Sequence, residues 1–108
     1  MKDQIVCITG ASSGIGWATA KALNDLGARL ILCGRREEKL KQLGEQLQVE
    51  YQLLVFDVRD RKAVFDAFKS LSETWRKIDV LINNAGNAHG LDPVHTADID
   101  DWDAMIDG

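Results

Sequence analysis

The residues best suited to chemistry fall in four clusters spread along the chain: Gly10, Ser12, Ser13, Gly14, Ile15 and Gly16; then Gly34, Arg35 and Arg36; then Asp57 and Val58; then Asn84, Ala85 and Gly86. The first cluster follows a short apolar run and opens directly into a helical pattern. A strand, a glycine turn and a helix N-terminus in that order aim backbone N–H groups at an anion, and a phosphate is the usual occupant. Gly10 can take backbone angles that other residues avoid, while Gly14 and Gly16 allow a ligand and a neighbouring strand to come close. Ser12 and Ser13 add hydroxyls. The plainer reading is a tight turn with no ligand, and the elements on both sides of the turn favour the nucleotide.

Those clusters need elements to carry them, and the chain supplies strands and helices in strict alternation. Apolar strands are expected at residues 4–8, 28–33, 51–56 and 78–82. The helix after the glycines is expected to bury Ile15, Ala18, Ala22, Leu23 and Leu26 and to stop at Gly27. Leu40, Leu43 and Leu47 make the inward stripe of a second helix, which opens on Glu37 and Glu38. Asp60 can cap a third, whose inward face is Val64, Phe68, Leu71 and Trp75. A polar loop is expected after the fourth strand, and Trp102, Met105 and Ile106 begin another amphipathic helix. Strands that are apolar throughout and separated by helices mean an α/β fold, a doubly wound parallel sheet of Rossmann-like type covered on both faces. Right-handed crossovers give it the strand order 3-2-1-4. All four polar clusters then converge beyond the carboxyl ends of the strands, near the reversal of strand order.

Composition narrows the field. The 108 residues are 45% hydrophobic and 28% charged, ordinary for a globular chain, and suffice for one domain at most. A net charge of −4 with no basic stripe disfavours nucleic acid or an anionic membrane as partner. No apolar run approaches the roughly 20 residues of a membrane span, and the start does not read as a signal peptide. Cys7 and Cys33 sit in apolar runs without metal-ligand spacing, as buried reduced thiols of a cytoplasmic protein would. His89 and His95 fall in the polar loop without converging carboxylates or thiolates, so no metal is expected.

Three of these stretches resemble one known family. Residues 9–16, Thr-Gly-Ala-Ser-Ser-Gly-Ile-Gly, are similar to the TGxxxGxG cofactor motif of the short-chain dehydrogenase/reductase family. Asn83-Asn84-Ala85-Gly86 resembles its NNAG motif, and Asp57-Val58 its adenine-contacting pair. Within that family, Gly34-Arg35-Arg36 and residues 83–90 resemble the NADP-dependent 3-hydroxy acid and serine dehydrogenases. The resemblance implies hydride transfer between NADP(H) and a small hydroxy acid or related alcohol, a small-molecule partner and a homo-oligomer. It places Gly10, Ser12, Ser13, Gly14, Ile15 and Gly16 around the pyrophosphate and adenosine ribose. Asp57 would accept from the adenine amino group, and Asn84, Ala85 and Gly86 would flank the nicotinamide-side ribose. Asn83 is read instead as a tie between adjacent strands. An NAD enzyme wants a carboxylate at the end of the second strand, where Gly34 stands; Arg35 and Arg36 offer planar forks of donors to the extra phosphate of NADP.

The family's acid–base group, a Ser with Tyr-x-x-x-Lys, has no counterpart here. The single tyrosine is Tyr51, and the residue four on is Val55. The 108 residues are accordingly expected to be the N-terminal, cofactor-binding part of one dinucleotide-binding domain, with no catalytic residue of their own. A redox-inert NAD(P)-binding module, or an interaction module pairing through a strand edge, is the other class to weigh. In this part of the fold Val80, Leu81 and Ile82 are expected to leave a bare apolar edge that recruits another chain.

Overall fold

The computed structural model describes residues 2–84 and 94–95. Its elements run β1 (Ile5–Thr9), α1 (Gly14–Asp25), β2 (Arg29–Gly34), α2 (Glu37–Glu45), β3 (Tyr51–Val55), α3 (Arg61–Lys69), β4 (Val80–Asn83) and β5 (Val94–His95). The sheet order is β3-β2-β1-β4-β5. β1 pairs in parallel with β2 (Cys7 beside Ile31) and with β4 (Cys7 beside Leu81), so it is hydrogen-bonded on both edges. The expected 3-2-1-4 parallel order is what forms, and strand order reverses between β1 and β4.

Side-chain alternation along the strands divides the core in two. One layer holds Ile5, Cys7, Ile31, Cys33, Leu54 and Leu81 under Val64 and Phe68 of α3. The opposite layer holds Val6, Ile8, Leu30, Leu32 and Ile82 under Ala20 and Leu23 of α1 and Leu40 and Leu43 of α2. Every residue of β1 is buried, as a strand covered on both faces must be. β3 is an edge and carries exposed Gln52 and Val55. The thiols of Cys7 and Cys33 lie 3.6 Å apart within the α3 layer, and burial, with the neighbouring Cys7 thiol second, pushes Cys33 well above the usual thiol range. Cys33 therefore sits there as a protonated thiol, and both cysteines pack as small hydrophobic groups.

The helix ends follow local chemistry. Ser13 caps α1 by accepting from the Gly16 N–H, and Asp60 caps α3 by accepting from the Ala63 N–H. Gly27, at φ +80°, turns the chain from α1 towards β2 in the left-handed region that glycine enters freely.

Two expectations are corrected. On α1 the buried residues are Gly16, Ala20 and Leu23, with Trp17 packed beside them, whereas Ala18 and Ala22 are exposed, Ile15 is 68% exposed and Leu26 55%. Of the expected face only Leu23 is buried, because the helix is rotated by its smallest residue: Gly16 must lie against the loop, and that turns Ile15 outward. The far edge of β4 is also not bare. β5 lies antiparallel along it, with Ile82 beside Val94 and Leu81 beside His95, since an edge of free N–H and C=O groups takes up an available segment. The expected helix at Trp102, Met105 and Ile106, and His89, lie outside the described residues.

The α3 layer should dominate stability. Phe68 is 1% exposed, so Phe68→Ala should cost about 3–5 kcal/mol. The exposed Lys62–Asp66 pair one turn apart should matter little, with Lys62→Ala changing stability by less than about 0.5 kcal/mol. Urea unfolding of the two variants in the full-length protein measures the contrast.

Candidate nucleotide-binding cleft

Beyond the carboxyl ends of β1, β2 and β3 lies a cleft of about 400 Å³ lined by Thr9, Gly10, Ser12, Ser13, residues 33–36 and residues 56–59. Three of the four polar clusters meet in it, although 17 residues separate the first from the second and 20 the second from the third along the chain.

The floor is the turn after β1. Gly10 has φ +64°, which the left-handed region allows to glycine at no cost. The Ala11 N–H donates to the Cys33 carbonyl at 2.9 Å, which ties the loop to the end of β2. The Ser13 hydroxyl donates to the Gly10 carbonyl at 2.7 Å and accepts from the Gly16 N–H at 3.2 Å. Its proton is thus spent inside the turn, while Ser12 carries a hydroxyl that also faces the cleft. A side chain at Gly16 would run into the Gly10 carbonyl, a backbone atom that cannot step aside, whereas Gly14 has open space around it. Trp17 donates to the Ser13 carbonyl, so Gly14 and Ile15 supply the first N–H groups of α1 without an acceptor inside the helix. Gly14, Ile15 and Gly16 belong to that helix start and not to the cleft wall.

The wall at the end of β2 is Gly34, buried, followed by exposed Arg35 and Arg36. A Cβ at Gly34 would stand 3.2 Å from the Ser12 hydroxyl and 3.4 Å from Leu40, so a side chain there would project at the glycine loop. The wall at the end of β3 is Asp57 and Val58, joined by a residue that pattern reading passed over. Arg59 donates to Asp57 three ways: its backbone N–H to Oδ1 at 2.9 Å, Nε to Oδ1 at 3.1 Å, and a terminal guanidinium nitrogen to Oδ2 at 2.8 Å. These bonds, with a smaller contribution from the charge on Arg35, lower the Asp57 carboxyl to about 2. The signal was present in the sequence as an Asp followed two residues later by an Arg, the spacing of a side chain folding back on its own turn. Phe56 is likewise a lining residue that the motifs did not mark, and Thr9, the first residue of the glycine motif, lines the cleft as well.

At the end of β4 the Thr9 hydroxyl donates to Asn83 Oδ1 at 2.8 Å, binding β1 to β4 at the switch point. Asn84 follows, with its Nδ2 buried and without a hydrogen-bond partner among the described residues. A buried amide donor left unmatched costs free energy unless something supplies an acceptor. An acceptor-rich ligand laid across the switch point would do so, and the open space beside Gly14 leaves room for a pyrophosphate at the start of α1. The residues present therefore fit a dinucleotide. Ala85 and Gly86 lie outside the described residues. His95 falls in β5 and not in a loop.

Comparison with known proteins gives a consistent picture. Residues 4–108 match the family described as short chain dehydrogenase. The chain is 43% identical over 107 residues to a probable NADP-dependent dehydrogenase of Haemophilus influenzae, covering 99% of this chain and 42% of that protein. It is 44% identical over 103 residues to an NADP-dependent 3-hydroxy acid dehydrogenase of Salmonella typhi, covering 95% and 42%. Among solved structures, the closed form of a serine dehydrogenase complexed with NADP+ superposes with a TM-score of 0.73 at 39% identity, covering 96% of this chain and 42% of that one. The chain thus spans less than half the length of these relatives.

The state of Asp57 can be titrated directly. Its folded value, about 2, lies below the ordinary 3.8, so the pairing stabilises the fold above about pH 4 and is lost as the pH falls from there through 2. In a carboxyl-carbon NMR titration Asp57 should stay ionised to near pH 2. In Arg59→Ala its midpoint should rise part of the way towards the ordinary aspartate value, the backbone N–H of residue 59 and the charge on Arg35 remaining to lower it.

Proposed function

Because the chain belongs to the short-chain dehydrogenase family, we propose that its protein transfers hydride between NADP(H) and a small hydroxy acid or a related alcohol or carbonyl compound, and that these residues are the part that holds the cofactor. The observation that carries the reading is the cleft itself: the glycine turn after β1, the Arg35–Arg36 pair where an acidic residue would exclude a phosphate, and Asp57 meet at one end of the sheet. Both relatives named above support the choice of NADP, and the 3-hydroxy acid dehydrogenase alone supports that of a hydroxy acid.

The bound nicotinamide supplies the hydride acceptor or donor. The chain's own residues bind and orient. Backbone N–H groups at the start of α1 and the Ser12 hydroxyl face the pyrophosphate, where the positive end of the helix favours negative charge. Arg35 and Arg36, exposed at the lip, take the extra phosphate of the adenosine ribose through charge-assisted bonds. Asp57 accepts from the adenine amino group, and Asn84 Nδ2 finds its missing acceptor on the nicotinamide side, beside Ala85 and Gly86. No residue here holds or moves the substrate proton. Tyr51, the single tyrosine, packs its ring against Gly44 in the far edge of the sheet and is followed four residues on by Val55. Acid–base work therefore falls to residues outside these 108. The alternative, a redox-inert NADP-binding module, shares the cleft and differs only in turnover.

The full-length protein should oxidise NADPH with at least one small carbonyl compound, or reduce NADP+ with the matching hydroxy acid. Binding of NADP+ without turnover across such a panel would favour the inert module.

Cofactor choice provides a second expectation. Replacing Arg35 and Arg36 together by Ala should weaken NADP+ binding roughly tenfold or more, since hydrogen bonds to charged groups are the stronger kind, and leave NAD+ nearly unchanged. Gly34→Asp should move the preference further towards NAD+, with Ser12 shifting to admit the new side chain. Calorimetric titration with both nucleotides measures it; equal losses would show that the arginines do not read the phosphate.

A further inference from the structure

Arg59 stands outside every motif, yet it lines the cleft, and its guanidinium hydrogen-bonds to one carboxylate, that of Asp57. An exposed ion pair of this kind adds little to stability, so its effect must be sought in the charge it presents to the cleft. Asp57 is only 34% exposed and faces the same cleft as Arg35 and Arg36. A carboxylate in that place is at odds with a phosphate-bearing ligand. It would repel the phosphate and would compete with it for Arg35, whose charge Asp57 already feels.

We infer that Arg59 is a positioning residue for cofactor selection: by clamping Asp57 it cancels the charge of that carboxylate towards the 2′-phosphate of NADP while leaving the carboxylate able to read the adenine amino group. The inference rests on the cofactor reading above and deepens it.

The geometry shows how both needs are met. A carboxylate has about four lone-pair positions. Oδ1 receives the backbone N–H and Nε of Arg59, and Oδ2 receives one guanidinium nitrogen closely and Nε more distantly, at 2.8 and 3.3 Å. Because one Nε hydrogen is shared between the two oxygens, three hydrogens occupy the four positions, and one position on Oδ2 stays open to a further donor. The planar fork also fixes the direction of the carboxylate, which a lysine ammonium would do less well. Since Arg59 is 77% exposed and its contacts all lie within a three-residue turn, replacing it leaves the core intact.

The test is calorimetric titration of NADP+ and NAD+ into the full-length protein and its variants. Arg59→Ala should weaken NADP+ on the order of tenfold and NAD+ about twofold or less, and the gap should narrow in high salt as the repulsion is screened. Adding Asp57→Asn to Arg59→Ala should restore most of the NADP+ affinity, because the amide oxygen still accepts from adenine and the uncompensated charge is gone. Arg59→Lys should keep most of the preference. Equal losses for both nucleotides in Arg59→Ala would overturn the inference in favour of a turn brace. Failure of Asp57→Asn to rescue would overturn it in favour of a direct contact between Arg59 and the phosphate. Wild-type protein that binds neither nucleotide, or shows no preference for NADP+, would instead bring down the cofactor reading, and this inference with it.

Discussion

The contact on which the rest depends is between two glycines. Gly16, in the first turn of α1, lies against the carbonyl of Gly10, and no side chain could fit between them. That approach sets how close the helix start stands to the end of β1. It also sets the rotation of α1, which puts Ala20 and Leu23 on the sheet and Ile15 in solvent. Ser13 locks the arrangement by bonding both partners at once, its hydroxyl to Gly10 and its oxygen to the Gly16 N–H. A bulkier residue at position 16 would push the helix dipole away from the cleft it serves.

The sheet explains why the cleft is where it is. β1 is hydrogen-bonded on both edges and buried on both faces, so its carboxyl end is held as firmly as any point in the fold. Crossovers of one hand send α1 and α2 to one side and α3 to the other. The chain ends of β1, β2 and β3 are thereby left uncovered at the reversal of order, and the polar residues there need not compete with a packed layer. The Thr9–Asn83 bond closes the seam between the two halves.

Electrostatics then decide what the cleft accepts. It gathers three arginines and one aspartate, and the aspartate is already matched by one of the three. What remains is a net cationic lip formed by Arg35 and Arg36 on a chain whose overall charge is −4. The global charge and the local field therefore have opposite sign, and it is the local one that an incoming phosphate meets within a Debye length of roughly 10 Å. The Asn84 amide nitrogen, buried and unmatched among the described residues, adds a second demand just past the end of β4.

The sequence by itself determined the alternation of strands and helices, the parallel order and the convergence of the glycine turn, Arg35–Arg36 and Asp57. These follow from local rules: apolar runs too long to leave exposed, capping residues such as Asp60, and the fixed hand of crossovers. Three things only the tertiary structure decided. The buried face of α1 was misread from its apolar spacing, because burial is set by where Gly16 docks and not by hydrophobicity along the helix. The edge of β4 was expected bare and is lined by β5, because hydrogen-bonding partners for an edge come from wherever the chain happens to return. Arg59 went unmarked, because its role depends on the direction of one carboxylate in three dimensions, and spacing in one dimension carries no direction.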